Sequence, residues 1–291
     1  MPTVLSRCAN LAYLARASKP TCHCTPGYRK YIISRVLLLP NADCLHPVSG
    51  RIHALHIAIK SIPDTVDFSD PSTFVELPFP SPLPAPTRRF QTSKRDGVPH
   101  FRYMGRTKFA ELKNYTKGEA FVDGTEDIYL YGSSGSGKSH ILAALVFQLI
   151  REGKRVLYVP DCRDLLSNFH KTIQAALLCA FYDDAESLAA ITSASSVDDL
   201  FKFWNDHTDR YLVVDQLNVL EVDPDSDSLK ATKEGIYRQL NEMRFAHRYI
   251  YSASANEKAN RDVDLKQAPI KVFSMYGGMD EVRHNLISSV V

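Results

Sequence analysis

The stretch Asp-Ile-Tyr-Leu-Tyr-Gly-Ser-Ser-Gly-Ser-Gly-Lys-Ser, residues 127–139, decides the fold expected of this chain. It begins with an apolar run, Ile128–Tyr131, which suits a buried β-strand. A glycine-rich turn follows, opened by Gly132 and closed by Gly137–Ser139. This spacing is that of the phosphate-binding P-loop, in which successive backbone N–H groups point inward and cradle phosphate oxygens.

The residues after the turn favour the same interpretation over a flexible Ser/Gly linker. Apolar residues from Ile141 to Ile150 recur at three- and four-residue steps, which predicts a helix ending near Gly153. Lys138 is expected to reach the β- and γ-phosphates, and the Ser139 hydroxyl to occupy one Mg²⁺ position. The residues expected to bind the nucleotide are Gly132, Ser133, Ser134, Gly135, Ser136, Gly137, Lys138, Ser139 and His140.

A second signature is the run Tyr-Leu-Val-Val-Asp, which ends at Asp215. In P-loop proteins an aspartate at the end of a central strand holds Mg²⁺, so Ser139 and Asp215 are the predicted metal residues. The alternative is a strand-end aspartate that makes an ordinary turn. Lys138, Asp215 and the following Gln216 are the predicted catalytic residues.

Further apolar runs complete the fold prediction. Arg155–Val159 and Tyr249–Ser254 read as strands, and helical periodicity spans residues 165–181 and 227–246. Four strands alternating with helices predict an α/β fold, a P-loop NTPase three-layer sandwich with a mostly parallel central sheet. Nucleotide is expected at the carboxyl ends of the strands. Ser252, Ser254 and Asn256 end the last strand, and either orient a water molecule or form a turn.

The first third of the chain differs in composition. Of the 16 prolines, 13 precede residue 101, and residues 1–119 carry a charge of +9 against −7 for residues 120–291. We interpret residues 77–87 as an extended linker. The predicted domains are therefore a basic, Pro-rich, partly disordered N-terminal region, 1–100, and a P-loop NTPase domain, 101–291. A basic patch follows the linker, namely Arg88, Arg89, Lys94 and Arg95.

Other features of the sequence, most of them in residues 1–62, are compatible with more than one interpretation. Residues 1–42 lack Asp and Glu, which is typical of a mitochondrial presequence or of a disordered basic arm. Cys22, His23 and Cys24 with Cys44 and His46 resemble a zinc site, but their spacing does not fit the common ligand pairs. The segment Arg51–Ile62 is a strand or a short helix. No apolar run is long enough for a membrane span, and reduced cysteines in the cytoplasm or nucleus are expected.

Several motifs resemble the P-loop ATPase domain of the Crinkler effector family and the related retrotransposon hot spot proteins. They are Tyr131–His140, Val159-Pro-Asp-Cys-Arg163, Val214-Asp-Gln-Leu-Asn218, Ser252-Ala-Ser-Ala-Asn256 and Tyr276-Gly-Gly-Met279. The resemblance covers roughly residues 70–290 and implies ATP binding, with Lys138 on the phosphates and Asp215 on the Mg²⁺ side. The usual Crinkler leader is not recognisable in residues 1–70, so the resemblance implies ATP binding more strongly than secretion or DNA cleavage.

The residue after the metal-side aspartate bears on turnover. Many ATPases of this architecture have Glu there, whereas a Gln orients water but cannot act as a carboxylate base. We therefore expect slow ATP hydrolysis with Mg²⁺, coupled to a protein or DNA partner. A homo-oligomer is a further expectation. The alternative is a nucleotide-switched binding module with negligible hydrolysis; a small-molecule kinase is a more distant third. Glu221 and Asp223 are fallback bases, and the candidates for charge stabilisation are Arg244, Arg248, Arg261 and Arg283.

Overall fold

The structure is a computed structural model that describes residues 47–122, 126–207, 210–221, 229–245, 247–253 and 270–275. All of them belong to one compact unit, residues 43–291. The helices are α1 Pro47–Ser61, α2 Thr107–Tyr115, α3 Glu119–Val122, α4 Lys138–Arg151, α5 Cys162–Ala180, α6 Ala185–Ser193, α7 Val197–Asn205 and α8 Lys230–Arg244. The strands are β1 Phe74–Pro78, β2 Thr92–Arg95, β3 Val98–Met104, β4 Asp127–Tyr131, β5 Val156–Val159, β6 Tyr211–Val214, β7 Arg248–Ser252 and β8 Ile270–Ser274.

Five strands form a parallel sheet in the order β5-β6-β7-β4-β8. This confirms the predicted α/β fold of the P-loop NTPase type. The prediction counted four strands; β8 is the fifth and lies at the edge, beside β4. Because all five strands run the same way, the P-loop after β4 and Asp215 after β6 lie at the same edge of the sheet, with β7 between their strands.

Both faces of this sheet are buried. Alternate side chains of a strand point to opposite faces, and here Val213 belongs to the hydrophobic cluster on one face while Leu212 and Val214 belong to the cluster on the other. The first cluster includes the apolar side of α4, and the second includes residues of α5, α7 and α8. Helices therefore cover the sheet on two sides, which makes the three layers that were expected.

The residues before the P-loop domain are packed into the first cluster. Strands β1, β3 and β2 form an antiparallel sheet in that order, and α1 packs against α4 and β3. The interpretation of residues 77–87 as a linker is wrong, because Leu77 and Phe79 are fully buried. The segment Arg51–Ile62, left open between strand and helix, lies almost wholly in α1. The division of the chain at residue 100 stays a prediction.

Several sequence predictions fall outside the described residues. They are the presequence or arm at residues 1–42, the zinc candidates Cys22, His23, Cys24, Cys44 and His46, and the motif Tyr276-Gly-Gly-Met279. Within the described ranges no group of three or more His, Cys, Asp or Glu could hold a metal ion. None of the helices in these ranges is long and apolar enough to cross a membrane.

Candidate nucleotide-binding site

Glycines shape the P-loop where the backbone turns. Gly135 and Gly137 have φ values of 81° and 86°, a region that side chains other than glycine adopt with strain. A Cβ at Gly137 would also overlap the guanidinium of Arg106, which would have to move away from the loop. Arg106 Nη1 donates a hydrogen bond of 2.8 Å to the Ser136 carbonyl, so this arginine lies against the outside of the turn.

Lys138 folds back over the loop. Its Nζ donates to the carbonyl oxygens of Gly132, at 2.6 Å, and Ser133, at 2.9 Å. The side chain is buried, and burial lowers the pKa of its ammonium while the nearby charge of Asp215 opposes that shift. An ammonium held above a glycine-rich turn can exchange carbonyl oxygens for phosphate oxygens without leaving the loop.

The loop fits a phosphate group. Ser133, Ser134 and Gly135 are exposed, so a ligand can approach. The hydroxyl of Ser136 is buried and has no hydrogen-bond partner in the described part of the chain. Helix α4 begins at Lys138, so its N-terminal N–H groups and helix dipole face the same position.

Asp215 is the most enclosed charged residue of the site, with no exposed side-chain surface. Its carboxylate accepts a hydrogen bond from the hydroxyl of Ser252. Burial raises the pKa of this carboxyl, and the Arg89 charge and the nearby hydroxyls of Ser139 and Ser252 counteract the rise. The P-loop serine and the strand-end aspartate, which the sequence paired as metal residues, therefore lie near each other.

These two oxygen donors fit Mg²⁺. The ion prefers oxygen ligands and is usually bound through one or two carboxylates plus phosphate oxygens and water, rather than by an all-protein cage. A single buried carboxylate beside a hydroxyl agrees with that preference. The role assigned to the pair stays a prediction.

Gln216 has an unusual backbone. Its φ of 63° and ψ of 43° put a residue other than glycine in the left-handed region. Such a conformation costs on the order of 1 kcal/mol or more and is found preferentially at functional sites. The Gln216 N–H donates to the Ser252 hydroxyl at 3.4 Å, which ties the turn to the end of β7. The turn then leads into a short 3₁₀ helix, Leu217–Leu220.

Arg89 belongs to the site, although the sequence indicated only an exposed basic patch. Its Nη1 lies 3.3 Å from Asp215 Oδ2, and its Nη2 lies 2.6 Å from Asp161 Oδ2. Nη2 also donates to the Pro160 carbonyl at 3.1 Å. Asp161 follows β5 and caps α5 by accepting the Arg163 N–H. One guanidinium thus bridges the ends of two neighbouring strands.

The arginines proposed for charge stabilisation lie elsewhere. Arg244 Nη2 is 3.6 Å from Asp127 Oδ2, and Asp127 begins β4. Arg248 begins β7 and stacks over Tyr211, which begins β6. Both positions are at the amino ends of parallel strands, opposite the P-loop, so neither serves the site of its own chain. Arg261 and Arg283 lie outside the described residues.

Two other groups of predicted residues remain. The fallback base Glu221 directly follows the 3₁₀ helix, and its carbonyl accepts a hydrogen bond from Lys233. Asp223, Ser254 and Asn256 lie outside the described residues, whereas Ser252 reaches Asp215 as noted.

His140 packs away from the loop. Its ring lies 4.6 Å from that of Phe90, centroid to centroid, and 6.1 Å from that of Phe101. Burial lowers the pKa of His140 to about 4, and the charges of Arg106 and Arg89 contribute to the shift. The imidazole is therefore neutral near pH 7 and joins the P-loop helix to the antiparallel sheet.

The geometry of the loop agrees with a comparison against known families. Residues 101–176 match the family model of IstB-like ATP binding proteins. The match begins in β3 and ends inside α5, so it contains the whole P-loop and supports ATP binding by a P-loop NTPase domain. The IstB-like match stops before Asp215 and Gln216. A comparison with curated proteins found no match.

Proposed function

We propose that this protein is a P-loop ATPase that hydrolyses ATP slowly with Mg²⁺ and couples its nucleotide state to a partner. The IstB-like match supports ATP binding, and the α/β sheet supplies the strand ends at which such proteins bind nucleotide. The observation that carries the proposal is the proximity of Ser139 of the P-loop to the buried Asp215, whose pKa the serine hydroxyl lowers. This proximity supports the assignment of the two side-chain oxygens to a nucleotide-bound cation.

Each residue has a distinct part in the proposed reaction. Lys138 turns from the loop carbonyls to the phosphates and, with the backbone N–H groups, balances their charge. Mg²⁺, when bound beside Ser139 and Asp215, neutralises further phosphate charge. Gln216 positions the attacking water through its side-chain amide. Because an amide does not accept the water's proton as a carboxylate does, we expect low turnover.

Phosphate release by the whole protein tests this proposal. The unaltered chain should release phosphate from ATP in the presence of Mg²⁺, and Lys138→Ala should abolish the release. Lys94→Ala, which removes an exposed ammonium on β2, is the matched control. Release that is equal in the unaltered and Lys138→Ala proteins would come from a contaminant and would count against the proposal.

A second candidate is a nucleotide-switched binding module with negligible hydrolysis. The observation in its favour is Gln216 in place of a carboxylate after Asp215. Tight, Mg²⁺-dependent nucleotide binding without phosphate release would favour this candidate. Both candidate functions include a partner, which is a protein or DNA, and a homo-oligomer.

We also propose that the domain is of the Crinkler type. The support comes from the quoted motifs, among them Pro-Asp-Cys-Arg at 160–163 and Asp-Gln at 215–216. Both motifs lie at the carboxyl ends of neighbouring strands, and Asp161 and Asp215 share the guanidinium of Arg89. The test is to change each motif in this chain and in a Crinkler-type ATPase module. Loss of Mg²⁺-dependent nucleotide binding in both proteins would show that they share a mechanism as well as sequence motifs.

A further inference from the structure

Arg89 is held by two carboxylates that belong to the proposed cation side of the site. Its guanidinium is 17% exposed, Asp161 is 10% exposed and Asp215 is fully buried. Asp161 also pairs with Arg163, whose Nη1 lies 3.2 Å from Asp161 Oδ2, and Arg89 is the basic side chain that bridges both carboxylates. The guanidinium therefore compensates a charge that Asp215 could not carry alone in a buried position.

A divalent cation beside Asp215 would compete with this contact. Arg89 Nη1 is 3.3 Å from Asp215 Oδ2, whereas Mg²⁺ is bound by carboxylate oxygens at about 2.0–2.1 Å. Two positive groups on one carboxylate repel each other strongly where water is excluded. A cation bound to the Asp215 carboxylate thus weakens the ion pair between Asp215 and Arg89.

The segment that carries Arg89 is short and has room to respond. The N–H groups of Arg89 and Phe90 both donate to the Pro86 carbonyl at 3.0 Å, which forms a turn between β1 and β2. The side chain of Phe90 is buried against Phe79 and Phe101, so the segment rejoins the core there, while the backbone hydrogen bonds of the turn can open. A pocket of about 360 Å³ lies beside this segment, and Arg88, Arg89, Phe90 and Gln91 are among the residues that line it.

We infer that Arg89 is a latch that couples the cation site to the segment between β1 and β2. In the nucleotide-free chain Arg89 holds Asp215 and Asp161; Mg²⁺–nucleotide displaces it and frees the turn at residues 86–90. This inference rests on the proposed function and names the element through which nucleotide state reaches the surface. Binding linkage is reciprocal, so removing the latch must strengthen Mg²⁺ binding.

The first test is a Mg²⁺ titration of the whole protein saturated with a fluorescent, non-hydrolysable ATP analogue. Arg89→Ala should lower the Mg²⁺ concentration at half-saturation by about tenfold, within the usual range of couplings between sites. Arg88→Ala is the matched control, because Arg88 is an exposed neighbour of the same charge. Arg89→Gln keeps polar donors for Asp161 and should shift the titration in the same direction if the alanine variant does not fold.

The second test is hydrogen exchange of peptides covering residues 79–91. Their amides should exchange faster with Mg²⁺ and the analogue than with the analogue and a chelator, because the turn that protects Arg89 and Phe90 opens. The register pair Thr92 and Phe101 in the antiparallel sheet should keep its protection in both conditions.

The outcomes separate the latch from the proposed function. An unchanged or weaker Mg²⁺ response in both Arg89 variants, with nucleotide binding intact, would overturn the latch alone. Equal effects in Arg88→Ala would also overturn it, since they would reflect net charge. Failure of the unaltered chain to bind nucleotide would overturn the proposed function and the latch together.

Discussion

The Ser252 hydroxyl donates a hydrogen bond to the Asp215 carboxylate, which joins the end of β7 to the end of β6. Strand β7 lies between β4 and β6, and the Ser139 hydroxyl in the first turn of α4 lies near enough to lower the pKa of the same carboxyl. Asp215 thus has hydroxyls beside it from two elements. A carboxylate held in this way is already oriented toward the P-loop before any ligand arrives, which favours a role in binding a cation there.

Asp215→Asn should impair the response to Mg²⁺ more than nucleotide binding itself. The amide has nearly the same size and can keep the contact with Ser252, but it loses the charge that a cation needs. We expect the Mg²⁺ concentration at half-saturation to rise about tenfold or more, as for other changes around metal ligands. Calorimetry with ATP analogue, with Mg²⁺ and with chelator, measures both quantities. Equal losses in the two conditions would contradict the assigned role.

Lys138→Ala should weaken ATP binding while the protein stays folded. The ammonium forms charge-assisted hydrogen bonds with the loop, and their transfer to phosphates is worth roughly tenfold to a hundredfold in affinity. The loop carbonyls it leaves are beside exposed residues and can bind water. Thermal unfolding and calorimetry of Lys138→Ala and Lys94→Ala provide the comparison. A large drop in melting temperature in the first variant would mean that Lys138 is structural.

The P-loop half of the site was predictable because its information is local. Residues Gly132–Ser139 are recognised as a P-loop by their spacing along the chain. The strand before them and the helix after them are predicted by the pattern of apolar residues. Asp215 was predictable from its position after a β-branched run. Arg89 was not, because its partner Asp215 is 126 residues away and no local pattern encodes that contact.

The front of the chain shows why proline content misled the prediction. Proline removes a backbone donor, so alternating prolines were read as an extended linker. The backbone is extended in β1, but Leu77 and Phe79 turn into the core. The signal that could have indicated packing is aromatic. Phe79 lies within the proline run, Phe90 and Phe101 follow it, and the three rings meet in one cluster.

Phe79→Ala should destabilise the P-loop domain if the front belongs to its core. Phe79 is fully buried and contacts Phe90, Phe101 and Tyr158 of β5. Removal of a buried phenylalanine side chain typically costs about 3–5 kcal/mol of unfolding free energy. Phe74→Ala, with Phe74 65% exposed, should cost less than about 1 kcal/mol. Urea unfolding of the two variants measures the difference, and similar values would contradict the packing.

Stability should fall below pH 6.5 partly through His56. Burial lowers the pKa of His56 from 6.5 to about 4, so the folded chain binds fewer protons than the unfolded chain between these values. Unfolding then takes up a proton, and acid favours it; stability present above pH 6.5 is lost as the pH falls toward 4. His56 contributes about 1 kcal/mol of loss between pH 7.5 and 5.5.

The measurement for His56 is urea unfolding at the two pH values. His56→Gln removes the titrating ring, so its stability should change less between pH 7.5 and 5.5 than that of the unaltered chain. His53→Gln, at an exposed position of the same helix, is the control. If both variants retain the full pH dependence, the loss must come from other groups.

Gln216→Glu should raise the rate of ATP hydrolysis if the amide limits turnover. The residue follows Asp215 directly, and its left-handed backbone is fixed by the N–H bond to Ser252, so a glutamate would start from the same turn. A carboxylate can accept the proton of the attacking water, and general-base catalysis is typically worth about 10²–10⁴-fold. We expect an increase of at least about tenfold and not the full range, because the negative charge of the adjacent Asp215 disfavours ionisation of the new carboxyl group. Phosphate release at saturating ATP and Mg²⁺ measures it, with Gln216→Ala as the comparison. A loss in the alanine variant with a gain in the glutamate variant would assign water positioning to this side chain, whereas no change in either would transfer that role to another residue and favour the binding-module alternative.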